Sequence, residues 1–379
     1  MNNKDDAINF YSNWLEIDQG AIAKNVQRLK EIAKRPVLAV VKGNGYGHGL
    51  CQAGHAAVAG GAGWLGVARI EEALWLRDDG ITAPILVLGY CPPKRVPEAA
   101  AGEISLAIYD LTLAAAYEEM LGSTGQIVKI HAKFDTGMGR LGYAPEGGLA
   151  FLFDLQKFSH LQIEGMFTHF SCGDDPENPA TSEQIRRFDA LVKQCEGAGI
   201  RPGLIHACAS AATLCFPEAH YDMVRCGIAI YGLQPSDEAP LPEGFEPALS
   251  WKTSLVSVKT VPPGHGVGYN RRYVTGGYER IGVIPVGYAD GFRRRIGNFA
   301  LVGGHRVQVV GGVPMDQCML QLDDLPEAKI GDEVVLLGRQ GSECITAEEI
   351  GKAWGTVNYD VVCGLAARVP RIYQNFPIE

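Results

Sequence analysis

An α/β fold, an N-terminal (β/α)8 TIM-like barrel followed by a mostly β C-terminal domain, is what this 379-residue sequence predicts. Three features carry the prediction. Eight short apolar runs recur over the first two thirds of the chain, several of the gaps between them carry helical patterning, and from about residue 244 the texture changes to strand-like runs divided by glycine and proline. The expected domains are therefore 1–243 and 244–379. A doubly wound open sheet shares the alternating pattern and stands as the alternative.

The runs are VLAVVK from residue 37, WLGVA from 64, PILVLG from 84, SLAIY from 105, IVKIHAKF from 127, IEGMFTHF from 163, LIHACA from 204 and DMVRCG from 222. Continuous apolar strands of this kind belong to a parallel sheet covered on its faces by helices. RIEEALWLRDDG, LTLAAAYEEM, GGLAFLFDLQKF and TSEQIRRFDALVKQCEGAG supply such helices, the last opening on Thr181-Ser182-Glu183-Gln184 and closing at Gly197. A leading pair, WLEI and the helix AIAKNVQRLKEIA, precedes the first barrel strand and stands outside the count. In the second domain ALSWKTSLVSVKTV, ERIGVIPVGYA, FALVGGHRVQVVGGV, MLQLDDL and GDEVVLLG read as strands, with a short helix in TAEEIGKAWG.

Composition excludes several classes. The formal net charge is −9 and the sole arginine cluster, RRR at 293–295, reads as a solvated loop, so the footprint of a nucleic-acid or anionic-membrane binder is missing. The opening MNNKDDAINF lacks an apolar core and no later window reaches membrane-spanning length, which makes a cytoplasmic location the expectation. Ten scattered cysteines lack paired zinc-site spacing and read as reduced, buried small hydrophobes, so no metal is expected.

In a (β/α)8 barrel the active site lies at the carboxyl ends of the strands. That filter collects Lys42 after the first strand, Asp135 and Arg140 in DTGMGRLG after the fifth, His169 after the sixth, Ser210 after the seventh and Arg225 at the eighth. Taken singly, each has a structural reading; together they would share one mouth. The chain has no P-loop, no GxSxG elbow and no evident carboxylate pair, leaving lysine as the nucleophile, suited to a Schiff base with a carbonyl compound. Loops after the last two strands of such barrels commonly bind phosphate through backbone N–H groups, here with Ser210, Gly227 and Ile228. Lysine plus a phosphate cradle points to pyridoxal 5'-phosphate.

The motifs WLEIDQGAIAKNV, AVVKGNGYGHG, KFDTGMGRLGY, FTHFS, MVRCGIAIYG, VGYN, IPVGYADG, PMDQCM and RVPR occur in the order and spacing of the alanine racemase family, which the chain resembles from about residue 13 to 373. The resemblance implies an isomerase of fold type III that interconverts L- and D-alanine, supplies D-alanine for peptidoglycan, and works as a homodimer with shared active sites. It implies that Lys42 holds the cofactor and acts as one base while Tyr269, from the partner subunit, is the other. Arg225 would face the pyridine nitrogen, with His169 linking it to the partner's tyrosine; Arg140 would steady the cofactor oxygen and the substrate carboxylate, with Lys133 the position carbamylated in some members. Tyr46, Ser210, Gly227 and Ile228 match cofactor or phosphate contacts, and Tyr288, Met315 and Asp316 match the partner's contribution to substrate entry and recognition.

Three features depart from the family pattern: Ala209 where asparagine is common, Ala367 where a tyrosine often precedes RVPR, and Asn270 with two arginines after Tyr269 where a small residue is common, for which the sequence offers no physical account. The second removes a phosphate contact and widens the pocket, which leaves a serine or broad-specificity racemase as the alternative. A fold type III decarboxylase and a non-catalytic pyridoxal-phosphate carrier are remote, because Arg225 and the VGYN motif fit neither.

Overall fold

A computed structural model describes residues 10–377, so the polar opening and the last two residues lie outside the described residues. Contacts divide the chain into two units, one running from Ala21 to Glu246 and the other combining the leading segment to Gly20 with the stretch from Pro247 onward.

The first unit is the barrel. Its strands are β2 (Val37–Val40), β3 (Trp64–Val67), β4 (Ile85–Val87), β5 (Ile104–Ile108), β6 (Val128–Lys133), β7 (Leu161–Phe167), β8 (Leu204–His206) and β9 (Val224–Cys226), all paired in parallel in the order β8-β7-β6-β5-β4-β3-β2-β9. A parallel bridge between His206 and Met223 joins β8 to the β9 end, so the sheet closes on itself. Each of the eight apolar runs became a strand, for the reason anticipated: residues such as Leu38, Leu65, Leu86, Leu106, Ile130 and Met166 are fully buried. The long helix Pro179–Gly197 starts earlier than the sequence indicated, with Asn178 accepting the Ala180 N–H at 3.0 Å and Pro179 in the first turn. Gln184, read as part of a cap, instead donates to the His169 carbonyl at 3.2 Å.

The second unit is mostly β. The leading strand β1 (Asn13–Asp18) pairs antiparallel with β10 (Leu249–Ser254) and parallel with β20 (Arg371–Gln374), so this part of the expected 1–243 domain joins the β sheet instead. The sheet continues through β18 (Glu333–Gln340), β15 (Phe299–Val302), β16 (His305–Val310), β17 (Cys318–Gln321) and β14 (Glu279–Ile284) to β11 (Ser257–Val261), while β12 (Gly266–Val267) and β13 (Tyr273–Val274) form a separate ribbon. The expected helix spans Ala347–Trp354, capped by Thr346, and a further helix, Asn358–Cys363, follows it. All ten cysteines are free thiols, half of them buried.

β1, β10 and β18 are held across their polar face by Lys252, whose Nζ lies 3.1 Å from both Glu16 and Glu333. Removing the lysine would leave two largely buried carboxylates facing each other. Lys252→Ala should therefore destabilise this unit by on the order of 3 kcal/mol, read as a lowered urea midpoint at unchanged slope; an unchanged midpoint would refute the argument.

Candidate active site

β2 ends at Val40 and delivers Lys42 to the carboxyl-terminal rim. The chain then makes a left-handed turn, with φ of 64° at Gly43, 56° at Asn44, 60° at Gly45 and 51° at Tyr46. Hydrogen bonds from Gly45 N–H to the Val41 carbonyl (2.8 Å) and from Gly47 N–H to the Gly43 carbonyl (3.1 Å) close it. Left-handed backbone costs an ordinary residue about 1–2 kcal/mol, which explains why two of these positions are glycine and one is asparagine. Two tethers hold the turn: Glu72 accepts the Gly43 N–H at 2.7 Å, and Asn44 Oδ1 accepts the Leu50 N–H at 3.0 Å. Tyr46 carries the strain of its own conformation, its ring buried 5.2 Å from that of Tyr231.

The loop after β6 is built on Asp135, whose carboxylate accepts the backbone N–H groups of Gly137, Met138, Gly139 and Arg140 at 2.8–3.1 Å. Burial works to raise this carboxyl, but the four donors outweigh it and hold it below its ordinary value. Arg140 is exposed at the end of that loop, and Lys133, the last residue of β6, is buried with its Nζ 5.4 Å from the centre of the Phe167 ring.

Arg225 lies inside the barrel, 4 % exposed. Its guanidinium donates to His206 Nδ1 (3.0 Å), His169 Nδ1 (3.1 Å) and the carbonyls of Thr168 (2.8 Å) and Ala207 (2.7 Å), and it packs 5.3 Å from the Phe167 ring. All these partners are neutral. Burial accordingly brings Arg225 down to about 10, still a cation at neutral pH. Burial, followed by the charges of Arg225, Arg140, Lys133 and Lys42, pushes His169 down to about 3. Burial, then Arg225 and Arg140, brings Lys133 down to about 8. Lys42, Lys133, Arg140, His169 and Arg225 thus lie close enough to act on one another's charge.

A second group closes the neighbouring part of that rim. Ser210 Oγ, buried, accepts the N–H groups of Gly227 at 3.0 Å and Ala229 at 3.3 Å. A Cβ at residue 227 would lie 2.5 Å from Tyr46 Oη, so glycine there is what lets the tyrosine hydroxyl approach the backbone.

The remaining predicted residues belong to the β unit. Tyr269 stands at the tip of the β12–β13 ribbon, 69 % exposed. Asn270 after it has φ 58°, a conformation asparagine tolerates, which accounts for that residue; Arg271 turns back to the Gly264 carbonyl at 2.9 Å. Tyr288, Met315 and Asp316 come together: Tyr288 N–H donates to the Pro314 carbonyl (3.0 Å), Ala289 N–H to that of Met315 (3.1 Å), and Arg368 links buried Asp290 to Asp316 at 2.8 Å each.

Comparison with known proteins accords with these two groupings. Residues 17–235 match the alanine racemase N-terminal domain family and residues 248–373 the alanine racemase C-terminal domain family. The chain belongs to the alanine racemase family. The alanine racemase of Symbiobacterium thermophilum is 45 % identical over 95 % of this chain and 96 % of its own, and that of Desulfovibrio desulfuricans is 43 % identical over 95 % and 97 %. The crystal structure of the Bacillus anthracis alanine racemase with bound L-Ala-P superposes with a TM-score of 0.91 at 40 % identity, covering 96 % of this chain and 95 % of that one. Like its relatives, this alanine racemase family member is an enzyme of the isomerase class, a racemase.

Sequence reasoning missed Glu72, Thr168 and His206 in the barrel unit and, in the β unit, Asp290 and the role of Arg368. The available signal was a polar residue inside or just after an apolar run, as in LIHACA, where His206 was read only as part of a strand. In this racemase the low Lys133 value is open to direct measurement. With carbon dioxide excluded, so that the amine is unmodified, the 13Cε shift of labelled lysine should show one residue titrating near 8, moving upward in Arg225→Met; a midpoint at the ordinary lysine value of about 10.4 would contradict the assigned environment.

Proposed function

We propose that this racemase interconverts L- and D-alanine with pyridoxal 5'-phosphate, using Lys42 of one subunit and Tyr269 of the partner subunit as its two bases. The observation that carries the reading is the rim itself: Lys42, Lys133, Arg140 and Arg225 gather where the nearby carboxylates Asp135 and Glu72 are already committed to backbone donors. Such a gathering of cations suits a ligand bearing both phosphate and carboxylate charge. The residues fit the cofactor by their donor chemistry: a lysine amine, the Tyr46 hydroxyl seated over Gly227, and a buried guanidinium. Lys42 would hold it, Ser210, Tyr46, Gly227 and Ile228 would surround its phosphate, Arg225 and His169 would back its ring, and Arg140 would engage the substrate carboxylate.

When bound, the cofactor supplies an electron sink that makes the α proton of the amino acid removable. Inversion then requires a proton acceptor on one face of the α carbon and a donor on the other. The Lys42 amine serves one face and the Tyr269 hydroxyl the other, with roles exchanged for the opposite direction. Arg225 stays charged and takes no part in proton transfer; burial and then its cation keep His169 unprotonated, so the ring can accept from the guanidinium and orient rather than donate. Exposure of Tyr269 at the tip of a ribbon supports its delivery to another subunit, and Tyr288, Met315 and Asp316 would accompany it to the substrate entry. Lys133, partly neutral near pH 8, has the free lone pair that carbamylation needs, and the carbamate would hold Arg140. The homodimer, a cytoplasmic location and supply of D-alanine for peptidoglycan belong to the same proposal, which is supported by the similarity to alanine racemases over nearly the whole chain.

Tyr269→Phe should lower racemisation in both directions by roughly 10²–10⁴-fold while retaining the cofactor's visible absorbance. Full activity in this variant would remove the second base from the mechanism. Borohydride reduction should leave the cofactor covalently on Lys42, and finding it on another lysine would overturn the assignment of the first.

Ala367, exposed ahead of RVPR, favours one second reading, a racemase that also accepts serine. Across a panel of L-amino acids, alanine should turn over fastest, with Ala367→Tyr depressing serine more than alanine. Equal or faster turnover of serine by the native enzyme would replace alanine as the main substrate.

A further inference from the structure

The bonds of Arg225 continue beyond its immediate partners. His206 accepts from the guanidinium at Nδ1, so its proton is on Nε2, which lies 2.9 Å from His131 Nδ1; the other nitrogen of His131, Nε2, lies 3.3 Å from Glu164 Oε2. A guanidinium can only donate and an ionised carboxylate can only accept. The four groups therefore admit one hydrogen-bond direction, with each imidazole neutral and protonated on Nε2.

Both rings are fully buried, and burial foremost keeps both below the ordinary histidine value despite Glu164 beside His131. Packing fixes them further. His206 stacks on Phe167 with ring centres 4.8 Å apart and planes 6° apart, and a Cβ at Gly165 would lie 2.4 Å from His131 Nδ1, so the glycine leaves the room that ring occupies. At the far end Glu164 also accepts from Ser105 Oγ at 2.6 Å and pairs with Lys129 at 3.0 Å. Burial works to raise its carboxyl, but the donors His131, Ser105 and Lys129 outweigh this and hold it at about 2.

We infer that Glu164, partly buried on β7, is a positioning residue for Arg225, acting through the tautomer-locked pair His131 and His206. If the proton of His206 moved to Nδ1, a donor would face the guanidinium and the 3.0 Å bond would be lost. Glu164 prevents this, because only an acceptor at its position holds the His131 proton on Nε2. The consequence for catalysis rests on the reading of Arg225 as the group behind the cofactor ring; the locking itself is a property of the protein alone.

Long-range 1H–15N spectra of histidine-labelled protein, taken before cofactor is added, test the locking. His131 and His206 should both show protonated Nε2 and bare Nδ1 in the native protein and in Glu164→Gln, which keeps an acceptor. Glu164→Met should show proton on Nδ1 of at least one ring. In the cofactor-loaded enzyme Glu164→Met should shift the visible spectrum and lower kcat by about 10–100-fold, as loss of other outer ligand partners does, with Glu164→Gln restoring most of it. A native ring protonated on Nδ1, or a Glu164→Met protein with unchanged tautomers, overturns the inference. Should Glu164→Met fail to fold, the native and Glu164→Gln spectra decide. Correct tautomers with no cofactor bound would fault the functional reading and leave the locking standing.

Discussion

Everything at the barrel rim depends on how Arg225 is buried. Withdrawing a guanidinium from water is expensive unless its donors are satisfied, and the usual solution is a carboxylate. Here the donors meet two imidazole nitrogens, two carbonyl oxygens and the vicinity of the Phe167 ring, so the charge is solvated without being neutralised. The requirement is self-consistent. His169 can accept from Arg225 only while unprotonated, and Arg225 is among the charges that keep it unprotonated. Lys133 is lowered in the same way, first by its own burial and then by the uncompensated cation, so burial and one charge together set the chemical state of two neighbours.

Geometry is controlled by a different device at each strand end. The left-handed turn after β2 stores strain at Tyr46 and is held by side-chain acceptors at both ends, Glu72 and Asn44. The loop after β6 is wound around one carboxylate, Asp135, and the loop after β7 is tied through Gln184 to the His169 backbone. In each case a side chain satisfies backbone N–H or C=O groups that a loop cannot satisfy for itself. Lys42, Arg140 and His169 thus project from segments whose backbone is already fixed, as a preorganised site requires.

The architecture was largely legible because apolar runs and intervening helices are set by local pattern, and all eight barrel strands formed where such runs lie. Lys42, Arg140, His169 and Arg225 were legible for a related reason: a polar residue at the end of a buried strand has a predictable place. What pattern could not show were relations between distant segments. WLEI looks like a strand on its own, but nothing in its composition says that it pairs with β10 and β20 rather than leading the barrel. His206 and His131 look like interruptions of apolar strands, since their partners lie 19 and 33 residues away in sequence and are defined only by barrel closure. The start of the helix at Pro179 was misplaced because Thr181-Ser182-Glu183-Gln184 mimics a cap while Asn178 supplies one.

The placement of β1 has an architectural consequence. Ile17 is paired with Leu249, and Asp18 N–H reaches the Ala248 carbonyl at 2.8 Å, so the points where the chain leaves and re-enters the β sheet are adjacent. Topologically, the barrel unit is a 226-residue insertion between two neighbouring strands of that sheet, running from Ala21 to Glu246. Its ends are therefore pinned together by β pairing instead of left to a flexible linker, and Lys252 reinforces the pairing from its two acidic neighbours. Losing the first strand would consequently be felt in the β unit, which carries Tyr269, Tyr288, Met315 and Asp316, although in sequence it lies next to Lys42. The order of residues along the chain thus conceals which half of the chemistry a given segment supports.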